Sequence, residues 1–95
     1  MGVGNTVYGT NATASGGTYT IQPTGTNEYV IHNLFWTGPC TITITDGSNP
    51  VLFFTADALG YLANVQLHVT NAFYITMTDT SGSTNNMAYD GIQTV

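Results

Sequence analysis

Hydrophobic and polar residues alternate along much of this chain with the two-residue period of β-strands. Isoleucine and threonine alternate in residues 41–45, and residues 63–70 and 73–78 keep the same period. Successive side chains of a strand point to opposite faces, so each segment has one apolar and one more polar face. Gly, Pro, Asn and Asp separate the segments at short intervals, and no segment has a helical period. The pattern predicts an all-β fold: a single antiparallel β-sandwich or barrel of about seven strands, Greek-key or jelly-roll-like, with an extended N-terminal arm.

Residues 28–36 depart from this alternation because large apolar side chains fall on both faces. In a regular strand, the two faces carry Tyr29, Ile31 and Phe35 on one side and Val30, Leu34 and Trp36 on the other. Residues 51–54, Val-Leu-Phe-Phe, have no polar face either. One face of such a strand packs on the core of its own domain, and the other face also needs cover. We predict that a second protein chain provides this cover.

Residues 1–17 are rich in Gly, Thr, Asn and Ser and contain few large apolar side chains. This composition predicts an N-terminal arm over residues 1–17 and a β-sandwich domain over residues 18–95. The arm is either a disordered tail or a segment that becomes ordered on a neighbouring subunit. At the other end of the chain, Asp90-Gly91 is typical of a turn and predicts the end of the last strand.

The charge of the chain limits its partners. Only 5% of its 95 residues are charged, there is no Lys or Arg, and the formal net charge is −5. Nucleic-acid binding depends on basic side chains that displace counterions from phosphates, and anionic membranes attract basic segments. No apolar run reaches the roughly 18 residues of a membrane span, and the N-terminus lacks the pattern of a signal peptide. We therefore expect neither nucleic acid nor a membrane as a partner.

Few residues have side chains suited to catalysis or metal binding, and they are spread along the sequence. The carboxylates are Glu28, Asp46, Asp57, Asp79 and Asp90. Four of these five fall in predicted turns, where Asp bonds its own backbone, and this interpretation is favoured over a glycosidase pair or a calcium site. His32 and His68 lack the spacing of zinc ligands, and Cys40 shares the parity of Ile42, which directs it inward. The sequence predicts no catalytic, cofactor-binding or metal site, and therefore a protein that is not an enzyme.

Aromatic residues give the strongest indication of a binding surface. Phe35-Trp36 and Phe53-Phe54 each place one ring on either face of a regular strand, so one ring of each pair is left over from the core. Edge strands of soluble sheets are often protected by Lys, which this chain lacks, so a symmetric homo-oligomer is expected. The candidate interface residues are Val7, Tyr8, Phe35, Trp36, Phe53 and Phe54. A bound sugar is the alternative use of exposed rings beside Asn and Asp.

Four short phrases lie in the C-terminal two-thirds of the chain. They are Val-Ile-His-Asn-Leu at 30–34, Ile-Thr-Asp-Gly at 44–47, Leu-His-Val-Thr-Asn at 67–71, and Thr-Ser-Gly-Ser to Tyr-Asp-Gly at 80–91. With these phrases the chain resembles small structural proteins of tailed-phage virions, among them capsid decoration or cement proteins. The resemblance implies a β-rich, non-enzymatic, usually trimeric protein that clamps neighbouring subunits of the major capsid protein. It also implies a location in the virion, after synthesis in the host cytoplasm.

The leading hypothesis is a capsid decoration protein that binds the outer shell and stabilises it through apolar oligomeric contacts. The competing hypothesis is a carbohydrate-binding module of a virion fibre or collar, with Trp36 or tyrosines as stacking platforms. A third hypothesis is a tail or neck component, which differs from the first in symmetry more than in chemistry. No cofactor is expected under any of the three.

Overall fold

The structure is a computed structural model that describes residues 3–95, and it confirms the all-β prediction. Within the described residues, nine strands follow one another: β1 (Thr6–Thr13), β2 (Thr18–Ile21), β3 (Tyr29–Trp36), β4 (Cys40–Thr45), β5 (Val51–Ala56), β6 (Gly60–Leu62), β7 (Leu67–Val69), β8 (Tyr74–Asp79) and β9 (Asn85–Gln93). Residues 3–95 contain no helix that is long and apolar enough to cross a membrane.

The strands form two antiparallel sheets. The first sheet has the order β1-β9-β3, and both β6 and β7 pair with the far edge of β3. The second sheet has the order β2-β8-β4-β5. The single strand that the alternation from Tyr61 to Thr70 predicts is divided into two three-residue strands, β6 and β7. This division, together with β1, accounts for nine strands where about seven were expected.

The two sheets pack face to face around one apolar core. Its buried members come from both sheets: Ile21, Ile31, Leu34, Trp36, Cys40, Ile42, Ala56, Val69, Ile75, Met77 and Met87. Tyr19, Tyr29, Ile44, Phe54, Leu62, Leu67 and Tyr89 pack against them from the margins. The apolar parity of β4 and β8 accounts for this arrangement, because alternate side chains of both strands enter the same core.

Residues 6–13 lie within the sandwich as the edge strand β1. This strand pairs with β9 along its whole length, from Thr6 opposite Ile92 to Thr13 opposite Asn85, and Val7 is buried. The predicted boundary at residue 17 leaves this strand outside the sandwich, so the boundary is corrected here. The segment was read as an arm because an edge strand with a water-facing side needs few apolar residues. Met1 and Gly2, at the start of the predicted arm, lie outside the described residues.

A β-bulge in β3 explains why its apolar residues fall on both parities. Ile31 lies opposite Gly91 and Asn33 opposite Asp90, so His32 is an extra residue in β3. The bulge reverses the alternation, and Ile31, Leu34 and Trp36 are all buried as a result. The prediction that Ile31 and Trp36 face opposite sides was therefore wrong. Little of a second apolar face is left on β3, because Leu34 and Trp36 pack into the same core as Ile31.

A second bulge lies in β5. Phe54 is opposite Ile42 and Leu52 is opposite Thr43, which leaves Phe53 as the extra residue. The ring of Phe54 packs on Trp36 with a centroid distance of 5.5 Å, whereas Phe53 stays 38% exposed. The bulge thus directs one ring of the pair into the core and leaves the other at the surface.

Threonines fill the outer face of the second sheet. Cross-strand pairing places Thr18, Thr78, Thr41 and Thr55 in one row, and Thr20, Thr76 and Thr43 in the next. The hydroxyl oxygens of Thr18 and Thr78 lie 3.0 Å apart and share a hydrogen bond. These threonines make the face polar. Large exposed apolar side chains lie on the edge strand β5, on the outer face of the first sheet and outside the strands, as at Leu59 and Phe73.

Candidate functional site

The structure divides the six predicted interface residues between the core and the surface. Val7 and Trp36 are buried, and Phe54 packs against the core. The indole Nε1 of Trp36 donates a hydrogen bond of 2.8 Å to the carbonyl of Ala58. Assignment of these three residues to an interface is therefore corrected, because their packing partners belong to the same chain.

The other three predicted residues are exposed but do not form one surface. Tyr8 and Phe35, 69% and 39% exposed, lie on the outer face of the first sheet, while Phe53 lies on β5 in the second sheet. Each sheet therefore has its own candidate surface.

The first candidate surface is the exposed start of β5, named here the β5 patch and formed by Val51, Leu52 and Phe53. Val51 and Leu52 are each 57% exposed. Within residues 3–95, β5 pairs with β4 alone, so its second edge has unpaired backbone groups. Residues 51–56 contain no charge, and only Pro50 and the bulge limit pairing with another strand. An apolar edge of this kind is a surface suited to contact with another chain.

The second candidate surface is centred on β3. The rings of Phe35 and Tyr61 face each other across the β3–β6 pair with a centroid distance of 6.3 Å, and Tyr61 is 66% exposed. These two residues are named the aromatic pair. Phe35 points outward because its neighbours Leu34 and Trp36 point into the core, and Tyr61 lies directly opposite Phe35 on β6.

A polar hollow of about 260 Å³ adjoins the aromatic pair on β3 and is named the bulge hollow. It is lined by His32, Asn33, Asn64, Val65 and Gln66. It lies on the edge of β3 that faces away from β9, between the residues that pair with β6 and those that pair with β7. His32, the extra residue of the β3 bulge, is one of these lining residues.

Hydrogen bonds hold the bulge hollow in shape. The Asn33 amide donates to an Asp90 carboxylate oxygen at 2.7 Å, and its own oxygen accepts from the Asn64 backbone N–H at 3.2 Å. The Val65 N–H donates to the His32 carbonyl at 2.9 Å. Asn64 has φ +60°, a left-handed conformation that Asn tolerates better than most residues. The amide nitrogen and the amide oxygen of Asn33 are therefore both held in place by hydrogen bonds within the chain.

Asp79 and Asn85 form a buried polar centre that joins several turns. The Asn85 oxygen accepts from the N–H groups of Thr37 and Gly38, both at 3.1 Å. Its nitrogen donates to the carbonyls of Gly38 and Pro39 and to an Asp79 carboxylate oxygen at 3.2 Å. The centre stabilises the connection between β3 and β4 and the ends of β8 and β9.

The Asp79 carboxylate accepts several hydrogen bonds that favour its charged form. The Ser81 hydroxyl donates to it at 2.5 Å, and the Gly16 N–H donates at 3.0 Å. These hydrogen bonds hold the pKa of Asp79 well below its ordinary value, and the bond from the Ser81 hydroxyl has the largest effect. Asp46 accepts from the N–H groups of Ser48 and Asn49, both at 2.8 Å. Both carboxylates thus play the turn role that the sequence predicts.

One further pair of titratable side chains lies at the surface. Glu28 pairs with the exposed His68 at 2.8 Å beside a shallow hollow of about 320 Å³. Among residues 3–95, no three His, Cys, Asp or Glu side chains come together as a metal site. Cys40 is buried as its parity predicts, and burial, with a smaller effect of the Asp79 charge, raises the pKa of its thiol to about 11.

Comparison with known proteins gives information about the fold alone. No protein-family model and no curated protein matches this chain. Among solved structures, the chain is similar to the Drosophila NLP core, with a TM-score of 0.54 and 10% sequence identity, over 93% of this chain and 98% of that one. That crystal structure is described as giving insight into pentamer formation and histone binding. At 10% identity the similarity establishes a shared β-sandwich arrangement.

Sequence reasoning missed the bulge hollow and the Asp79–Asn85 centre. Asn85 belongs to the polar run of residues 80–86, yet it is fully buried at the start of β9. Asp90-Gly91 was read as a turn, a prediction that was wrong because both residues lie inside β9. A glycine within a strand often marks a bulge or a close backbone approach, and this was the signal available for Gly91.

Proposed function

We propose that this chain is a structural subunit that assembles into a homo-oligomer through the β5 patch. The observation that carries the proposal is the exposure of Val51, Leu52 and Phe53 on an uncharged edge strand. Exposed apolar residues grouped on one edge are typical of a protein interface. The Drosophila NLP core, which shares the fold, is described in terms of pentamer formation, and this also supports self-association.

Burial of apolar surface is the proposed driving force. Complete burial of one such side chain contributes roughly 1.5–3 kcal/mol, and association costs about 4–15 kcal/mol. The three side chains of one patch are already partly covered, so the patch must meet a second apolar surface. A two-fold contact brings two copies of the patch together, whereas a ring pairs the patch with a different surface of the neighbour.

Electrostatics imposes a condition on this contact. Each subunit has a net charge of −5 and no Lys or Arg, so no Lys or Arg side chain is available for an ion pair between copies. Salt screens the repulsion between like subunits and leaves apolar burial intact. The proposed oligomer therefore persists or tightens as salt is added.

We also propose that the oligomer is a capsid decoration protein of a virion, with the major capsid protein as its partner. The resemblance of residues 30–34, 67–71 and 80–91 to tailed-phage virion proteins supports this role, and jelly-roll sandwiches are common in viral shells. The resemblance favours a trimer, whereas the NLP core is described as a pentamer, and the mass in solution decides between them.

Co-sedimentation with phage capsids that lack the chain tests the virion role. The wild-type chain is expected to pellet with the capsids, and a chain with Leu52→Ser and Phe53→Ser is expected to stay in the supernatant. A fibre, neck or tail component pellets with those parts and leaves the shell bare, which would contradict the decoration role.

Binding of a basic protein is a second candidate function. It is favoured by the charge of −5 and by the histone binding described for the NLP core. Titration with histones measures it, and an electrostatic complex weakens steeply with added salt. Assembly through the β5 patch has the opposite salt dependence, so one salt series separates the two functions.

A further inference from the structure

We propose that the bulge hollow and Tyr61 form a binding site for a neutral saccharide on the outer face of the first sheet. This site lies on a different sheet from the β5 patch, so the proposal stands apart from self-association. It rests on three features of the described residues: the amides of the hollow, the exposed ring beside it, and the charge of the chain.

The amides of the hollow match the hydroxyl groups of a sugar. Asn64 and Gln66 are exposed, and each side-chain amide offers two donor hydrogens and an acceptor oxygen. Sugar hydroxyls both donate and accept, so a single hydroxyl bonds to either end of an amide. Asn33 lies between Asp90 and Asn64 and is held by both, which keeps the floor of the hollow rigid.

The aromatic pair lies on the same face as the hollow. Phe35 is opposite Ala88 and Asn33 is opposite Asp90, and the two β9 residues have the same parity. Two residues along β3 correspond to about 7 Å, the scale of one sugar ring. Tyr61, at 66% exposure, presents its ring beside Phe35. The negative face of an aromatic ring attracts the positively polarised C–H groups of a sugar.

Charge and size select a small, neutral ligand. An anionic ligand finds no Lys or Arg in this chain. A cation is disfavoured because the nearby carboxylate of Asp90 already accepts a hydrogen bond from Asn33. In addition, no three ligating side chains come together within residues 3–95. The volume of about 260 Å³ is below the roughly 300–1,000 Å³ of a drug-sized pocket. A single sugar ring that lies in the hollow and stacks one of its faces on the Tyr61 ring meets these conditions.

Nuclear magnetic resonance titration tests the site. The labelled wild-type chain is titrated separately with glucose, galactose, mannose and N-acetylglucosamine. At least one sugar is expected to shift the side-chain amide signals of Asn33, Asn64 and Gln66 together. Tyr61→Ala is expected to weaken that binding about tenfold, while Tyr61→Phe, which keeps the ring, retains it.

Phe73→Ala is the matched control. Phe73 is 44% exposed and lies directly before β8 in the second sheet, so its loss is expected to leave sugar binding unchanged. Gln66→Ala is the second variant and is expected to weaken binding without removing a ring. The proposal is overturned if none of the four sugars shifts these signals, if the shifts lie elsewhere, or if Tyr61→Ala binds as well as wild type. The oligomer mass, measured on the same samples, reports on self-association separately.

Discussion

Gly91 in β9 lies directly opposite Ile31 in β3, and a Cβ atom on Gly91 would stand 2.9 Å from the Ile31 Cα. It would also overlap the carbonyl oxygen of Val30. These obstacles are backbone atoms of a central strand, which do not move aside as the end of a side chain does. The close approach occurs next to the bulge at His32, so the glycine and the bulge belong to one local arrangement.

Gly91→Ala is therefore expected to destabilise the fold by about 3 kcal/mol, because β3 and β9 must separate to admit the methyl group. Denaturant unfolding followed by Trp36 fluorescence measures the change. Gly60→Ala is the control, since a Cβ there meets its nearest atom, Trp36 Nε1, at 3.4 Å. The control is expected to stay within about 1 kcal/mol of wild type. Equal stability of the two variants would show that a methyl group at Gly91 fits between β9 and β3 without separating them.

Asn85→Ala is expected to cost about 3 kcal/mol or more, because it removes a fully buried amide that accepts from the Gly38 N–H and donates to the Asp79 carboxylate. Asn86→Ala provides the matched control, since Asn86 is the next residue in β9 and faces solvent. Its substitution is expected to stay within about 0.5 kcal/mol. Thermal unfolding of both variants tests the difference, and similar losses would remove the case for a buried polar centre.

Stability is expected to depend on the charge of Asp79 in acid. Its pKa is lowered from the ordinary 3.8, mainly by the Ser81 hydroxyl and the Gly16 N–H. A lowered pKa in the folded state stabilises the fold above the unfolded pKa, and this contribution is lost as pH falls below about 4. In Asp79→Asn the titrating group is absent, so wild type and variant are expected to converge in stability between about pH 5 and pH 2.

The convergence is measured as the difference in melting temperature between the two chains across that range. Asp46→Asn is the comparison at an exposed turn, where screening by solvent makes the corresponding change smaller. A difference between wild type and Asp79→Asn that stays constant with pH would contradict the hydrogen-bonded role of the carboxylate.

Cys40 is expected to be inert in the native chain. The thiolate is the reactive form, and burial raises the pKa of this thiol to about 11, so little thiolate exists at neutral pH. A chromogenic aromatic disulfide reagent should react with Cys40 only as fast as the chain opens. The Gly91→Ala variant should react faster because it opens more often. Immediate reaction of the folded wild-type chain would show that Cys40 is accessible.

The alternation of apolar and polar residues was enough to predict strands such as β4 and β8, because both enter a common core with regular parity. It failed at β3 and β5, since a bulge depends on the pairing of a strand with its partner and leaves no period in the strand itself. With the bulges in place, Trp36 and Phe54 pack in the core, and Phe35 and Phe53, one ring of each adjacent pair, lie at the surface.

The site residues were harder to predict because they come together only through topology. The bulge hollow joins β3 to residues 64–66 across a gap between two short strands, and no spacing along the chain encodes that gap. Asn85 collects backbone groups from a turn more than 40 residues earlier in the chain. By contrast, the β5 patch was partly visible, because Val-Leu-Phe-Phe has no polar position in any register.

The central claim, self-association through the β5 patch, is tested most directly by the mass of the chain in solution, measured by light scattering at low and high salt. The wild-type chain is predicted to have a multiple of its 10.1 kDa mass at both salt concentrations. The variant with Leu52→Ser and Phe53→Ser is predicted to be a folded monomer, and Tyr8→Ser to keep the wild-type mass. A wild-type chain that stays monomeric at high concentration, or a doubly substituted chain that remains oligomeric, would contradict the account.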